Sequence, residues 1–236
     1  MTNETNTALI VGASRGLGLA IVEELAKRGW RVIGTVRDLA AATPLHEAAA
    51  RSGGRITVEE LDITKPEQLP PLHERLAGGV GSELAILFVN AGTTNNEETP
   101  IGSVPTSDFI DVMVTNALSP MRVIEALQDL VPSDGLIGAM TSGQGSITNN
   151  TRGSREVYRG SKAALNQFMR SFAVRQADTD RAMLLMAPGW IKTALGGDDA
   201  PFTIDENVPK IVDVMLAKRS VPGLEYLDFR GTTVPW

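Results

Sequence analysis

The sequence predicts an α/β fold in which helices cover both faces of a doubly wound, mainly parallel β-sheet. Short apolar runs rich in valine, isoleucine and leucine alternate along the chain with longer amphipathic stretches, and this alternation is typical of repeated βαβ units. The first apolar run passes into the first amphipathic stretch through VGASRGLG, a turn rich in glycine. A βαβ unit joins two parallel strands by a right-handed crossover, and its helices cover the faces of the sheet. The strands should therefore lie parallel in a sheet that is buried on both sides.

The apolar runs that predict strands are, in chain order, TALIV, RVIGTV, ITVEEL, LAILFV, LIGAM and AMLLMA. The stretches that predict helices cover residues 17–28, 40–52, 66–77, 106–130 and 156–177. Loops that carry glycine or proline are predicted at 92–105, 143–155 and 188–203, and each of them follows a predicted strand. Ligands bind outside the carboxyl ends of strands in such sheets, so these loops should gather around one site.

The composition suits a single folded domain over residues 1–236. Hydrophobic residues make up 42% of the 236-residue chain, which supplies enough apolar surface for one large core. No linker or internal repeat divides the chain. The 22 basic and 28 acidic residues give a net charge of -6, and this balance argues against a protein that holds nucleic acid phosphates.

The chain contains no cysteine, which excludes disulfides and thiolate metal sites and makes the cytoplasm the expected location. His46 and His73 have no partner at metal-ligand spacing, so we interpret them as solvated helix residues and predict no metal site. The first residues lack the basic start and apolar stretch of a signal peptide, and no segment approaches the roughly 20 apolar residues of a membrane span. We therefore expect no membrane attachment.

Three glycines, at residues 12, 16 and 18, mark the turn after the first strand. Glycine permits a tight strand-to-helix turn and lets the backbone approach a pyrophosphate, which the positive end of the following helix attracts. A plain chain reversal also uses glycines, but the position in the first βα unit favours a dinucleotide. The predicted contacts are Gly12, Ser14, Arg15, Gly16, Leu17 and Gly18.

The end of the second strand indicates which dinucleotide is bound. Arg37 stands there with Asp38 beside it. An acidic residue would hold the two ribose hydroxyls of NAD, whereas an arginine can pair with the 2′-phosphate of NADP. Arg15 in the glycine loop can flank the same phosphate, so the sequence favours NADP(H) over NAD(H). Two solvated arginines are the other interpretation.

The residues after the third strand are predicted to meet the adenine. Asp62 would accept a hydrogen bond from its amino group, and Ile63 would cover the ring. Asp62 can instead cap the helix that starts near Pro66.

Four further polar residues stand after predicted strands or on the long helices, namely Asn116, Ser142, Tyr158 and Lys162. Each has an ordinary explanation, as a helix amide, a turn former, a core aromatic and a lysine that reaches solvent. Together they predict acid–base chemistry, because a cation one helical turn away favours the phenolate of a tyrosine, whose ordinary pKa is about 10. Ser142 would bind a carbonyl oxygen, Tyr158 would protonate it as hydride arrives from a nicotinamide, and Asn116 would hold a water that resupplies protons.

Taken together, these motifs resemble the short-chain dehydrogenase/reductase family. The matching stretches, in the family's order, are VGASRGLG, LDIT, VNAG, TNALSP, TSGQG, YRGSK and PGWIKT. The resemblance implies a Rossmann-type sheet of seven parallel strands, an NAD(P)(H) cofactor and a catalytic tetrad of the four polar residues above. It also implies a homodimer or homotetramer that pairs through the helices at 106–130 and 156–177.

The resemblance assigns further cofactor contacts. The adenosine side would be lined by Asn90, Ala91 and Gly92, and the carboxamide and phosphate end by Pro188, Gly189, Ile191 and Thr193. Tyr158 and Lys162 would contact the cofactor as well, Lys162 at the nicotinamide ribose. The stretches TSGQGSI, YRGSKAALN, PGWIKTALGG and the final VPW are most similar to the C-factor (C-signal) and sniffer-like carbonyl reductase branch, which implies NADPH-dependent reduction of carbonyl compounds.

Departures from the family pattern carry expectations of their own. Val11 and Val89 replace polar residues that often tie loops together, which predicts a looser glycine loop. The segment before Tyr158 is longer than usual, so ITNNTRGSRE should form an enlarged loop beside the substrate. Its Arg152 and Arg155 are interpreted as solvated, with contact to an anionic substrate as the alternative.

The segment after Thr193, ALGGDDAPFT, is short for a substrate lid, which predicts an open pocket that accepts bulky ketones. The predicted function is hydride transfer between NADP(H) and a ketone, aldehyde or secondary alcohol. A dinucleotide-binding regulator that has lost the chemistry is the alternative outside enzymes, and the presence of Tyr158 and Lys162 argues against it. An isomerase or epimerase on the same scaffold stays open.

Overall fold

The computed structural model describes residues 6–79, 81, 83–95 and 98–236. Its seven strands form one parallel sheet in the order β3-β2-β1-β4-β5-β6-β7. The strands are β1 (Thr7–Val11), β2 (Arg31–Val36), β3 (Ile56–Glu60), β4 (Ile86–Val89), β5 (Leu136–Met140), β6 (Ala182–Ala187) and β7 (Gly223–Asp228). The strand order reverses between β1 and β4, and the predicted doubly wound Rossmann-type sheet is confirmed.

Helices connect the strands and cover both faces of the sheet. They are α1 (Gly16–Lys27), α2 (Pro44–Arg51), α3 (Leu69–Ala77), α4 (Thr106–Met113), α5 (Ser119–Leu127), α6 (Glu156–Arg175) and α7 (Ile204–Lys218). Within the described ranges, no helix combines the length and the apolar character needed to cross a membrane.

Two hydrophobic cores result from the alternation of side chains along each strand. On β1, Ala8 and Ile10 pack with α1, α2 and α7, whereas Leu9 and Val11 pack with α3, α5 and α6. All residues of β1 are buried, because a parallel strand in the middle of the sheet has helices on both sides. The cores fix the strand ends, where the polar loops begin.

The sequence pattern located six of the strands and missed the last helix and strand, α7 and β7. The helix predicted over 106–130 is interrupted by a π-helical turn at Val114–Leu118, a feature that often marks functional sites. The helix predicted from residue 40 begins at Pro44, because Thr43 and His46 cap its first turn.

Neither histidine is simply solvated. His46 Nδ1 lies 3.0 Å from Thr43 Oγ1, and His73 Nε2 lies 2.7 Å from Asp129 Oδ2. Among the residues that the structure describes, no group of three or more histidine, cysteine or acidic side chains is arranged to hold a metal ion.

Candidate active site

A cavity of about 1030 Å³ opens at the carboxyl ends of the central strands, where parallel sheets bind their ligands. All three predicted loops border it, through residues such as Gly92, Gln144 and Trp190. Residues 96 and 97 of the first loop lie outside the described residues. The predicted site residues that line the cavity are Gly12, Ser14, Arg15, Gly16, Leu17, Arg37, Asp62, Ile63, Asn90, Ala91, Gly92, Ser142, Tyr158, Lys162, Pro188, Gly189, Ile191 and Thr193. Gly18 and Asn116 do not line it.

The glycine loop depends on close backbone packing. Gly12 has a φ of +83°, and a Cβ there would lie 2.7 Å from the Cα of Ala91. A Cβ at Gly18 would strike the carbonyl of Gly12 and lie 2.6 Å from Asn90 Nδ2, which donates to that carbonyl at 2.9 Å. Gly18 therefore shapes the loop from behind instead of touching a ligand.

The loop is tied by a residue that the motif does not contain. Thr35, fully buried on β2, accepts a hydrogen bond from Gly12 N at its Oγ1 and one from Ala13 N at its carbonyl, both at 2.9 Å. The expectation that Val11 and Val89 leave a looser loop is therefore wrong, because Thr35 and Asn90 supply the ties.

Two cations border the end of the cavity at β2. Arg15 and Arg37 both line it and are exposed. The carboxylate of Asp38 instead accepts a hydrogen bond from Ala40 N at 2.9 Å and does not line the cavity. This end therefore offers positive charge to a ligand.

Asp62 lines the cavity where β3 ends. Its Oδ1 accepts hydrogen bonds from Thr64 N at 3.0 Å and from Thr64 Oγ1 at 2.7 Å. The residue that precedes the helical turn at Pro66 is Lys65, so the capping interpretation of Asp62 is wrong. The carboxylate closes a tight local turn instead.

The opposite end of the cavity is built on α6. Tyr158 and Lys162 stand one helical turn apart and are buried at 7% and 3% exposure. Lys162 Nζ donates to the carbonyl of Met140 at 2.9 Å and lies 5.9 Å from the centroid of the Tyr158 ring. Burial lowers the pKa of Lys162 from 10.5 to about 8. The lysine does not reach out to solvent.

Ser142 follows β5 and begins a short 3₁₀ turn. Its Oγ accepts a hydrogen bond from Gln144 N at 3.1 Å, which leaves the hydroxyl hydrogen to be donated elsewhere. Ser142 and Tyr158 line the same cavity, so both side chains border the space that a ligand would enter.

Asn116 lies in the π-helical turn and is fully buried. Its Oδ1 accepts from Thr93 N at 2.8 Å, and its Nδ2 donates to the carbonyl of Thr93 at 2.8 Å and to Ser161 Oγ at 3.0 Å. Both amide hydrogens are committed to protein atoms, so a water held at this residue would bind either Oδ1, which has a second lone pair, or the main chain. The water-holding role of Asn116 stays a prediction.

Arg155 ends the enlarged loop and is not the solvated arginine that the sequence favoured. Its φ of 60° is the only positive value among the non-glycine residues described. Its guanidinium carbon lies 4.7 Å from the centroid of the Tyr158 ring, and the side chain lines the cavity. Arg152 is exposed and does not line the cavity. No sequence motif predicts that Arg155 lies against the Tyr158 ring, because this contact depends on the left-handed backbone of Arg155 itself, just before α6.

A compact loop closes the side of the cavity after β6. Trp190 Nε1 donates to the carbonyl of Gly196 at 2.6 Å, and Gly196 N donates to Thr193 Oγ1 at 3.0 Å. Trp190 lines the cavity and is half exposed. Trp190 is not among the predicted site residues, and it presents an aromatic surface to the cavity.

Comparisons with known proteins identify the family and the similar structures of this chain. The short chain dehydrogenase family model matches residues 6–201. A short-chain dehydrogenase/reductase from Burkholderia multivorans, solved with bound NADP, is 61% identical with a TM-score of 0.95, covering 98% of this chain and 100% of that chain. The carbonyl reductase Sniffer of D. melanogaster is 26% identical with a TM-score of 0.88 over 99% and 100% of the two chains. The C-signal of Myxococcus xanthus is 32% identical over 153 residues, which is 64% of this chain and 92% of that relative.

Proposed function

Because this chain belongs to the short chain dehydrogenase family and is an NAD(P)-dependent oxidoreductase, we propose that it is an NADPH-dependent carbonyl reductase. One observation carries the proposal: Tyr158, beside the buried Lys162, lines the same cavity as Ser142 and the glycine loop. A proton donor, a second hydroxyl and a cradle for a dinucleotide thus face one space. This arrangement suits hydride transfer to a ketone or aldehyde.

The cavity fits NADP(H) at the end where Arg15 and Arg37 stand. Two cations suit a 2′-phosphate, and the Burkholderia multivorans protein was solved with NADP. We assign the pyrophosphate to the glycine loop and the N-terminus of α1, where unpaired backbone N–H groups attract anions. The remaining contacts are assigned as Asp62 and Ile63 at the adenine, Asn90, Ala91 and Gly92 along the adenosine, and Pro188, Gly189, Ile191 and Thr193 at the nicotinamide.

The chemistry of the chain's own residues follows from their contacts. When bound, NADPH supplies the hydride. Ser142 donates a hydrogen bond to the carbonyl oxygen of the substrate, and Tyr158 gives its phenolic proton to that oxygen as the hydride reaches the carbon. The ammonium of Lys162, held by the carbonyl of Met140 at 2.9 Å, stabilises the resulting phenolate. In the reverse direction the phenolate accepts the proton of a secondary alcohol.

A homo-oligomer is also part of the proposal. Ile110 on α4 and Phe168 and Val174 on α6 are exposed apolar residues, on two of the helices that the sequence predicts to pair. Such patches are typical of interfaces between subunits. The dimeric or tetrameric state and the cytoplasmic location stay predictions.

The test is the loss of NADPH absorbance with a panel of ketones and aldehydes, run with wild type and Tyr158→Phe. We expect wild type to reduce several of them and the variant to lose about 10²- to 10⁴-fold in kcat, the range for removal of a general acid. NADPH binding, followed by fluorescence, should persist in the variant. Unchanged turnover in Tyr158→Phe would contradict the mechanism. Tight NADPH binding without reduction of any carbonyl compound would favour a regulator, and interconversion of isomers without net NADPH consumption would favour an isomerase.

A further inference from the structure

A buried tyrosine on β7 reaches the residue that the proposed mechanism places at the substrate carbonyl. Tyr226 is 1% exposed, and its hydroxyl donates a hydrogen bond to the main-chain carbonyl of Ser142, 84 positions earlier in the chain. The same carbonyl accepts from Gly145 N at 2.8 Å. Two donors from different parts of the fold therefore hold the peptide that follows Ser142.

Asn166 secures the same segment from α6. Its Oδ1 accepts from Thr141 Oγ1 at 2.6 Å, and its Nδ2 donates to the carbonyl of Gly145 at 3.4 Å. Asn166 lies one helical turn after Lys162 and two after Tyr158, so one face of α6 carries all three side chains. The residue before Ser142 and the turn after it are thus fixed by the helix that supplies the proposed proton donor.

Tyr226 is suited to hold this peptide and not to take part in the chemistry. Burial raises the pKa of Tyr226 to about 12, against the smaller opposing effect of its hydrogen bond with Asn166. The phenol therefore stays protonated and remains a donor at any ordinary assay pH. Tyr226 does not line the cavity, so it does not itself meet the substrate, and its hydroxyl instead binds the main-chain carbonyl of Ser142.

We propose that Tyr226 is a positioning residue that, together with Asn166, fixes the direction of the Ser142 hydroxyl toward the substrate carbonyl. The inference rests on the proposed function, because it gives Ser142 its role there. Ser142 stands at the point where β5 ends and a loop begins. Its Oγ accepts from Gln144 N, and the carbonyl that Tyr226 binds belongs to the peptide just before the one that supplies this N–H.

The experiment is a double-mutant cycle with Ser142→Ala and Tyr226→Phe, read as kcat for a ketone with NADPH. Tyr226→Phe alone should lower kcat about tenfold, which equals about 1.4 kcal/mol and lies within the range for loss of one hydrogen bond. In the Ser142→Ala background the same change should have no further effect, because its route to the substrate is already gone. NADPH affinity should be the same in all four proteins.

Leu227→Val is the matched control, since Leu227 is the next residue on β7 and packs into the opposite core. It should lower the melting temperature without changing kcat. An equal loss from Tyr226→Phe in both backgrounds, or no loss in either, would overturn the inference. If Ser142→Ala itself retains full activity, the proposed function fails instead. Thr141→Val, which removes the hydroxyl bound to Asn166, should show the same dependence on Ser142 and provides a second variant if Tyr226→Phe does not fold.

Discussion

The two ends of the cavity are built on different principles. At the dinucleotide end, glycines leave room for the backbone, and the cations Arg15 and Arg37 are exposed. At the reaction end, Tyr158 and Lys162 are buried, and Ser142 is held from β7 and α6. The dinucleotide end should therefore be sensitive to added side-chain volume, and the reaction end to the orientation of its side chains. A buried charge also acts in a lower effective dielectric than an exposed one, so electrostatic changes should have larger effects at the reaction end.

Lys162→Met should have the largest effect. Removal of the buried ammonium takes away the group that we propose stabilises the phenolate, and kcat should fall by about a thousandfold, within the range of acid–base catalysis. Lys218→Met is the matched control, because Lys218 is also buried but binds the carbonyl of Val221 at 2.6 Å outside the cavity. The control should lower the melting temperature and keep turnover. Steady-state kinetics of both variants measure this difference. Equal losses of kcat in the two variants would contradict a specific role of Lys162 and would point to a general effect of removing a buried lysine.

The same lysine predicts a dependence of stability on pH in the cofactor-free protein. Burial lowers the pKa of Lys162 from 10.5 to about 8, so between these values the unfolded chain binds a proton that the folded chain has released. The free energy of unfolding therefore gains a rising contribution across this window. The cost of burying the charge is fully present below pH 8 and is relieved above pH 10.5. Urea unfolding should show this rise in wild type and not in Lys162→Met.

Gly18→Ala tests the dinucleotide end and should be the next largest effect. The added Cβ would lie 2.6 Å from Asn90 Nδ2 and strike the carbonyl of Gly12. Overpacking of this kind costs about 1–3 kcal/mol, so NADPH should bind roughly ten- to a hundredfold more weakly. Gly160→Ala is the control, because nothing lies within 4 Å of a Cβ there. In titrations followed by NADPH fluorescence, equal affinity of Gly18→Ala and wild type would show that the loop can adjust.

Except for Gly18, the residues predicted at the dinucleotide end do line the cavity, and the sequence could locate them because they are local. The glycines adjoin one strand end, and Arg37 ends the next strand. Even there the tie from Thr35 to Gly12 was missed, because a threonine inside an apolar strand carries no signal of its own partner 23 positions away.

The reaction end was predicted only where the family motif names its residues. Tyr158 and Lys162 share one helix turn, but Tyr226 and Arg155 act through contacts that no spacing displays. The run GLEYLD that contains Tyr226 is short and only partly buried, so the pattern did not even mark it as a strand. Long-range packing decides these contacts.

Arg37→Ala should have the smallest effect and separates charge from shape at the dinucleotide end. Loss of the guanidinium removes a partner of the 2′-phosphate, so NADPH should bind about tenfold more weakly, and NADH, which lacks that phosphate, should be nearly unaffected. Arg31→Ala is the matched control, since Arg31 is exposed at the other end of the same strand and should change neither affinity. Equal weakening of NADPH and NADH would place Arg37 at a group that both cofactors share. Because Arg15 lines the same end, Arg37→Ala should leave a residual preference for NADPH that disappears only when Arg15 is replaced as well.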